Sequence, residues 1–319
     1  MSDTTGGVAD VGHPDDPDEW RHATARVNGV DLHHVTVDPD PGAVDHPTGD
    51  APLVVLLHGF PEFWYSWRHQ LDPLAAAGYR VVAPDLRGYN RSSQPEGVDS
   101  YRPAELVADV RGLVEHLGYA RADVVGHDWG GAIAWETAIR DPDLLGRLVV
   151  MNAPHPTAYR RTLLRSPEQL ARSWYVLAFQ VPWLPERLLA ADDYRAIDRM
   201  LEGASPGAFT DADRRRYRKA MARSGSPSGP LNYYRAIARE AARRQLRSLV
   251  PGTGSRDATV RAPTLVVWGE RDVALTTDLL DGLSEWVPDL RVERLPAATH
   301  WVQLDDTRRV TELLLGFLG

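Results

Sequence analysis

The sequence predicts an α/β protein, a mostly parallel sheet flanked by helices with one helical cap inserted into it. Three observations lead there. Short runs dense in branched apolar residues recur along the chain, helical patterns lie between them, and the alternation stops for about a hundred residues before it resumes.

In chain order, residues 1–18 are rich in Asp, Gly and Pro with almost no apolar content, and are expected to form a disordered tail. Strands follow near His22–Val27 and Val30–Val37, joined by Asn28-Gly29, a dipeptide suited to a two-residue hairpin turn. Further strands are expected at Leu53–Leu57, Arg80–Ala83, Asp123–Val125, Leu148–Met151, Thr264–Trp268 and Arg291–Arg294. Their apolar density is that of parallel strands buried on both faces. Leu106, Val107, Val110, Leu113, Val114 and Leu117 share one face at helical spacing and predict a helix between two strands.

From His155 to Asp257 helix-like segments rich in Arg, Ala, Leu and aromatics replace the strands. Such a block, set between two strands of one sheet, reads as a cap over the sheet's C-terminal edge, where open α/β folds bind their ligands. Within it "RSGSPSGP", Arg223–Pro230, is expected as a loop, and Val250–Pro263 as the return linker. The division is thus a core of 19–154 and 258–319 with a cap of 155–257.

Composition narrows the function. With 319 residues, 43% of them hydrophobic, the chain can bury one sizeable core. A net charge of −8 offers nucleic acid or an anionic membrane no basic excess, so a small neutral molecule is the expected partner. The absence of cysteine excludes disulfides, thiol nucleophiles and thiolate metal clusters. No apolar run reaches the roughly 18 residues of a membrane helix, and the N-terminus has no basic-then-apolar leader pattern; a cytoplasmic location is expected. Dimers are common in such folds, and a homodimer stays open.

The chemistry centres on "VVGHDWGGAIAW", Val124–Trp135, which puts Asp128 on a sharp turn between a strand and a helix. Gly126, Gly130 and Gly131 let strand and helix approach, and the turn presents the side chain above the sheet beside the positive end of the helix. A carboxylate there attacks carbon without first losing a proton. Attack on a saturated carbon would leave an ester on the enzyme, and its hydrolysis needs a base and an oxyanion hole. His300 in "LPAATHWVQLD" follows the last strand as the candidate base, and Asp272 in "VVWGERDVALT" follows the strand before it as the group that orients the imidazole. The backbone N–H groups of Phe60, in "LLHGFPEFW", and Trp129 are the candidate oxyanion donors. Each residue alone has an ordinary reading: Asp272 as a helix cap, His300 as a core histidine, "HGFP" as a shaped loop. Their joint position at successive strand ends carries the assignment.

With these residues in view, the stretch from Trp20 to Leu318 resembles the α/β-hydrolase superfamily, and within it the epoxide hydrolases. "HGFPEFWYSWRHQ", "PDLRGYNRSS", "GHDWGGAIAW", "NAPHP" and "THWVQLD" carry the resemblance. So does the chain order of nucleophile, acid and histidine. Asn90 departs from it, where glycine usually follows "RGY"; asparagine tolerates left-handed dihedrals, so little consequence is expected. The resemblance implies a cofactor-independent, metal-free reaction of an epoxide with water, and two cap tyrosines that bind and protonate the epoxide oxygen. Tyr175 in "SWYVLAFQVP" aligns with the first and Tyr234 in "LNYYRAI" with the second, with Tyr233 its rival, since neighbours on a helix point about 100° apart. A phenol with pKa near 10 suits a basic alkoxide leaving group. Phe60, Trp129, Trp64, Trp174 and Trp183 are expected to line an apolar pocket.

Two other readings share parts of this site. A dehalogenase would use the same aspartate to expel halide, but Phe60 stands where a halide-binding asparagine is common, and Trp129 and Ala132 stand where fluoroacetate dehalogenases carry arginines. A non-catalytic ligand-binding member would have no need of His300 and Asp272.

Overall fold

The computed structural model describes residues 16–39 except 18, 51–248 except 224, and 257–319. Eight runs rich in Val, Leu and Ala become strands β1 (Arg21–Val27), β2 (Val30–Val37), β3 (Leu53–Leu57), β4 (Arg80–Pro84), β5 (Ala122–His127), β6 (Leu145–Met151), β7 (Thr264–Gly269) and β8 (Leu290–Leu295). They form one sheet in the order β1-β2-β4-β3-β5-β6-β7-β8. β2 runs antiparallel to both β1 and β4; from β4 to β8 all pairings are parallel. The β1–β2 hairpin closes on Asn28 and Gly29 with φ of 44° and 75°, the left-handed pair that a tight turn between twisted strands requires.

Every residue of β3, β5 and β7 is buried. β8 differs from the expectation of burial on both faces. It is the edge strand, only Leu295 in it is buried, and Arg291, Glu293 and Arg294 put charge along the open edge.

The helices packed on the sheet are α1 (Leu71–Ala76), α2 (Pro103–His116) and α3 (Trp129–Arg140). α2 is the helix whose spacing was readable, and it buries Leu106, Val107, Val110, Leu113 and Val114. Between β6 and β7 come α4 (Pro156–Leu163), α5 (Pro167–Arg172), α6 (Trp174–Ala178), α7 (Leu184–Leu201), α8 (Asp211–Arg223) and α9 (Ser228–Ser248), with no strand among the described residues. α7 is broken where Asp192, Asp193 and Tyr194 take left-handed conformations. α10 (Val302–Asp305) and α11 (Thr307–Leu318) close the chain.

The expected loop at Arg223–Pro230 is shorter than its composition suggests. Arg223 still belongs to α8, and Ser228, Gly229 and Pro230 open α9, where a proline's missing N–H costs no helical hydrogen bond. Of the expected tail only Asp16 and Pro17 are described. Asp16 accepts from Arg216 of α8 at 2.7 Å, so this end of the segment lies against the helical insert. Half of the return linker, residues 250–256, also lies outside the described residues.

The two ends of the insert are tied together where they leave and rejoin the sheet domain. His155 donates from Nε2 to the Ala258 carbonyl at 3.1 Å and stacks on Trp286 at 5.2 Å, so the outgoing and returning chains meet. Burial pushes the His155 pKa down to about 4, and Nδ1, accepting from the Thr157 N–H, fixes a neutral ring.

This topology positions the site. β4 lies on one side of β3 and β5 on the other, so the chain reverses its direction of winding at β3. That reversal lies at the C-terminal ends of β3 and β5, the place where open α/β sheets bind their ligands. Phe60 follows β3, Asp128 follows β5, and Asp272 and His300 follow β7 and β8.

Candidate active site

Asp128 sits at the N-cap of α3 with φ 50° and ψ −116°, a strained conformation for a residue with a side chain. Glycines make the turn possible. A Cβ on Gly130 would strike the backbone oxygens of Leu57 and His58, and one on Gly126 the Gly130 carbonyl, so β5 and α3 pack backbone to backbone. On the β3 side, a Cβ on Gly59 would lie 2.5 Å from Cβ of Asp128.

The two carboxylate oxygens have different neighbours. Oδ1 accepts from the Phe60 N–H at 2.8 Å. Oδ2 lies 3.6 Å from Nε2 of His300. The Trp129 N–H is the first of α3, one of the helix-opening donors that have no acceptor within the helix. Phe60–Pro61 is a cis peptide.

Behind His300 stands Asp272, its Oδ2 2.6 Å from Nδ1. The same oxygen accepts from Nδ2 of Asn152 at 2.7 Å, while Oδ1 accepts the N–H groups of Ala274 at 2.7 Å and Leu275 at 3.0 Å. Burial opposes the charge on Asp272, but His300 and these donors outweigh it and hold its pKa below the usual carboxylate value. Burial likewise opposes charge on His300, and the carboxylates of Asp272 and Asp128 outweigh it, raising the imidazole well above its ordinary pKa. Both flanking carboxylates thus favour the protonated form of the imidazole.

The insert covers this group with aromatic rings. The centroid of Tyr234 is 4.8 Å from Trp129, 5.8 Å from Phe60 and 5.9 Å from Tyr175, each nearly perpendicular. Burial first, then the negative charge of Asp128, raises the Tyr234 pKa well above 10. Tyr175 is raised by burial, then by Tyr159 and Asp128. Tyr233 turns elsewhere: its hydroxyl donates to the Arg87 carbonyl at 2.8 Å, in a buried contact. Both rings lie against Trp129, Tyr233 at 5.4 Å, but of the adjacent pair Tyr234 is the one also packed against Phe60.

Three expected pocket residues are not part of this cluster. Trp64 is buried in the core, edge-on to Trp20, His22, Phe63 and Tyr65. Trp174 and Trp183 stand on the outer surface of the insert, 68% and 65% exposed. Aromatic character near the motif placed all three in the pocket, and it says nothing of the direction in which a ring turns.

Other residues of the site had not been singled out. Phe179 lies four residues beyond Tyr175, hence on the same helical side, and its ring is 4.9 Å from Tyr234. Glu62, five residues beyond β3, accepts from the Gly59 N–H and from Nδ1 of His127, both at 2.8 Å. Nε2 of His127 faces the backbone carbonyl of His300 at 2.8 Å. Both nitrogens of His127 thus face acceptor oxygens. Gln303 donates to the other Glu62 oxygen at 3.1 Å. Burial would neutralise Glu62, but His127 and the Gly59 N–H hold its pKa down to about 2. This buried pair ties the Phe60 loop, the turn at Asp128 and the His300 loop together. Helical spacing would have found Phe179; no local pattern announces the Glu62–His127 pair.

Residues 52–307 match the family described as alpha/beta hydrolase fold. The AB hydrolase superfamily protein YfhM of Bacillus subtilis is 36% identical over 293 residues, covering 91% of this chain and 95% of its own. Epoxide hydrolase 3 of Xenopus tropicalis is 39% identical over 274 residues, covering 84% of this chain and 71% of its own. A crystal structure of Bacillus megaterium epoxide hydrolase in complex with an inhibitor superposes with a TM-score of 0.80 at 32% identity, over 93% of this chain and 99% of that one.

Proposed function

The chain belongs to the alpha/beta hydrolase fold family and, within it, to the epoxide hydrolases, and from that premise we propose a two-step hydrolysis of an epoxide to a vicinal diol through an ester on Asp128. One observation carries the reading: the Asp128 carboxylate is divided between the Phe60 N–H on Oδ1 and the His300 imidazole near Oδ2, beneath the rings of Tyr175 and Tyr234.

With Oδ1 already occupied by a donor, Oδ2 is the oxygen available to attack an epoxide carbon. The C–O bond of the ring breaks as the new C–O bond forms, and the departing oxygen takes a proton from Tyr175 or Tyr234. Both phenols are weak acids in this buried setting, but an alkoxide is a stronger base than either phenolate. In the ester, Oδ1 becomes the carbonyl oxygen and keeps the Phe60 donor, which stabilises the oxyanion that forms when water attacks.

Ester formation also removes the negative charge of Asp128, one of the two charges that hold His300 protonated. His300 can then yield its proton, the one that replaces what the phenol gave to the alkoxide. As the neutral base it next takes a proton from water while the water oxygen bonds to Cγ of Asp128. Collapse expels the diol, whose alkoxide takes the remaining water proton. Asp128 returns as a carboxylate and His300 as an imidazolium, so the proton count closes over one cycle. Phe60, Trp129 and Phe179 favour an epoxide bearing an apolar substituent.

In His300→Gln the first step is expected to survive and the second to slow by about 10³-fold. Intact-mass spectrometry after mixing this variant with an epoxide should then show the protein heavier by the mass of that epoxide. A wild-type substrate that leaves the variant's mass unchanged while still giving diol would exclude the role assigned to His300.

A further inference from the structure

The face of the helical insert turned away from Asp128 has a composition that the reaction does not use. α5 and α6 are separated by Ser173 alone, and the run they form is apolar on two sides. Tyr175 and Phe179 face inward, their rings 6.0 Å apart. Leu170, Trp174, Leu177 and Val181 recur at intervals of four, three and four residues, the spacing of one helical stripe, and all four are exposed. Leu177 at 73% is bared even more than Trp174. Trp183 and Leu188, at the start of α7, are exposed as well. A helix that is hydrophobic on both sides is normally covered on both. Here the outer side is open.

The charges around the stripe point to what covers it. Residues 159–188 carry five arginines and two glutamates. Both carboxylates are consumed, Glu168 by Arg172 at 2.7 Å and Glu186 by Arg235 at 2.6 Å. Arg160, Arg165 and Arg187 have no ion-pair partner among the described residues. Exposed tryptophan and leucine on a segment whose exposed Arg160, Arg165 and Arg187 lack a carboxylate partner match the headgroup layer of an anionic bilayer, where apolar side chains sink about 5–10 Å and arginines meet lipid phosphates. A second copy of this chain fits less well. Across a two-fold axis the same segment meets itself, and its net positive charge would face the same charge.

We propose that this face of the insert docks on the surface of bilayers containing anionic phospholipid. No described helix is long and apolar enough to cross a membrane, so the contact is peripheral. The net charge of −8, which by itself disfavours such a partner, belongs to the rest of the molecule. The docking stands whatever reaction Asp128 performs.

The test uses the full chain and vesicles of phosphatidylcholine, alone or with about 30% phosphatidylglycerol, sedimented at low salt and at about 1 M NaCl. Wild type is expected to pellet with the anionic vesicles and to be largely released by salt, with a blue shift of tryptophan emission on binding. Leu177→Glu with Leu188→Glu should weaken binding at least roughly tenfold. Arg165→Glu with Arg187→Glu, which leaves the apolar stripe intact, should abolish the preference for anionic lipid. Wild type left in the supernatant, equal pelleting with both vesicle types, or leucine variants that bind as wild type would each overturn the proposal. So would a wild-type dimer in light scattering that the leucine variants split, since the face would then belong to a second copy.

Discussion

Asp128 and its neighbours divide the work by atom. The carboxylate oxygen at the Phe60 N–H is a hydrogen-bond acceptor, and the oxygen near His300 is the one that the proposed reaction uses. Tyr233 and Tyr234 show how one step along a helix separates structure from chemistry. Tyr233→Phe leaves the Arg87 carbonyl buried without its donor, so stability should fall by about 1–3 kcal/mol with kcat/KM within a few-fold of wild type. Tyr234→Phe keeps the ring and loses the proposed proton donor, so kcat/KM for an epoxide should fall tenfold or more while the melting temperature holds. Steady-state kinetics beside thermal unfolding of the two variants makes the comparison, and an equal effect of both on turnover would remove the distinction.

At the scale of elements, the first turn of α9, the helix that bears Tyr233 and Tyr234, crosses the loop after β4. A Cβ on Gly229 would lie 2.8 Å from both Cα and the carbonyl oxygen of Gly88. Gly229→Ala should therefore push the start of α9 outward, lower kcat/KM and lower the melting temperature. Gly316→Ala is the matched control. It lies in α11 with nothing within 4 Å of the added carbon, so the substitution should raise stability by about 0.5–1 kcal/mol and leave turnover alone. The strands of this element framework were legible because apolar runs of five to eight residues punctuated by turns have few other uses. The reach of α9 over Ser228–Pro230 was not, since glycine and serine at a helix start look the same as a loop.

For the molecule as a whole, what the sequence reveals of the site follows distance along the chain. Asp128, Asp272 and His300 were readable because each follows a strand, and a parallel sheet carries all strand ends to one edge. The Glu62–His127 pair, the direction of Trp64 and the outward stand of Trp174 and Trp183 depend on side-chain packing between distant segments, which no local pattern encodes. That buried pair also sets a pH limit. Glu62 has a folded pKa of about 2, depressed from 4.5, so its stabilisation is complete above the unfolded value and is lost as pH falls toward 2. The contribution is on the order of 3 kcal/mol. Glu62→Gln should be the less stable protein near pH 6, and the gap to wild type should narrow toward pH 2.5. Denaturant unfolding at both pH values reads it, and a gap independent of pH would show that the pair carries no such charge.

The covalent ester is the claim on which the reaction rests, and solvent oxygen reports on it directly. Excess enzyme mixed with an epoxide in water enriched in heavy oxygen should release a first diol without solvent label, because the oxygen added to carbon comes from Asp128. The label should appear in the carboxylate of Asp128, in a peptide spanning Val124–Trp135. A first diol carrying heavy oxygen, with an unlabelled Asp128, would mean that water attacks the epoxide itself and that no ester forms.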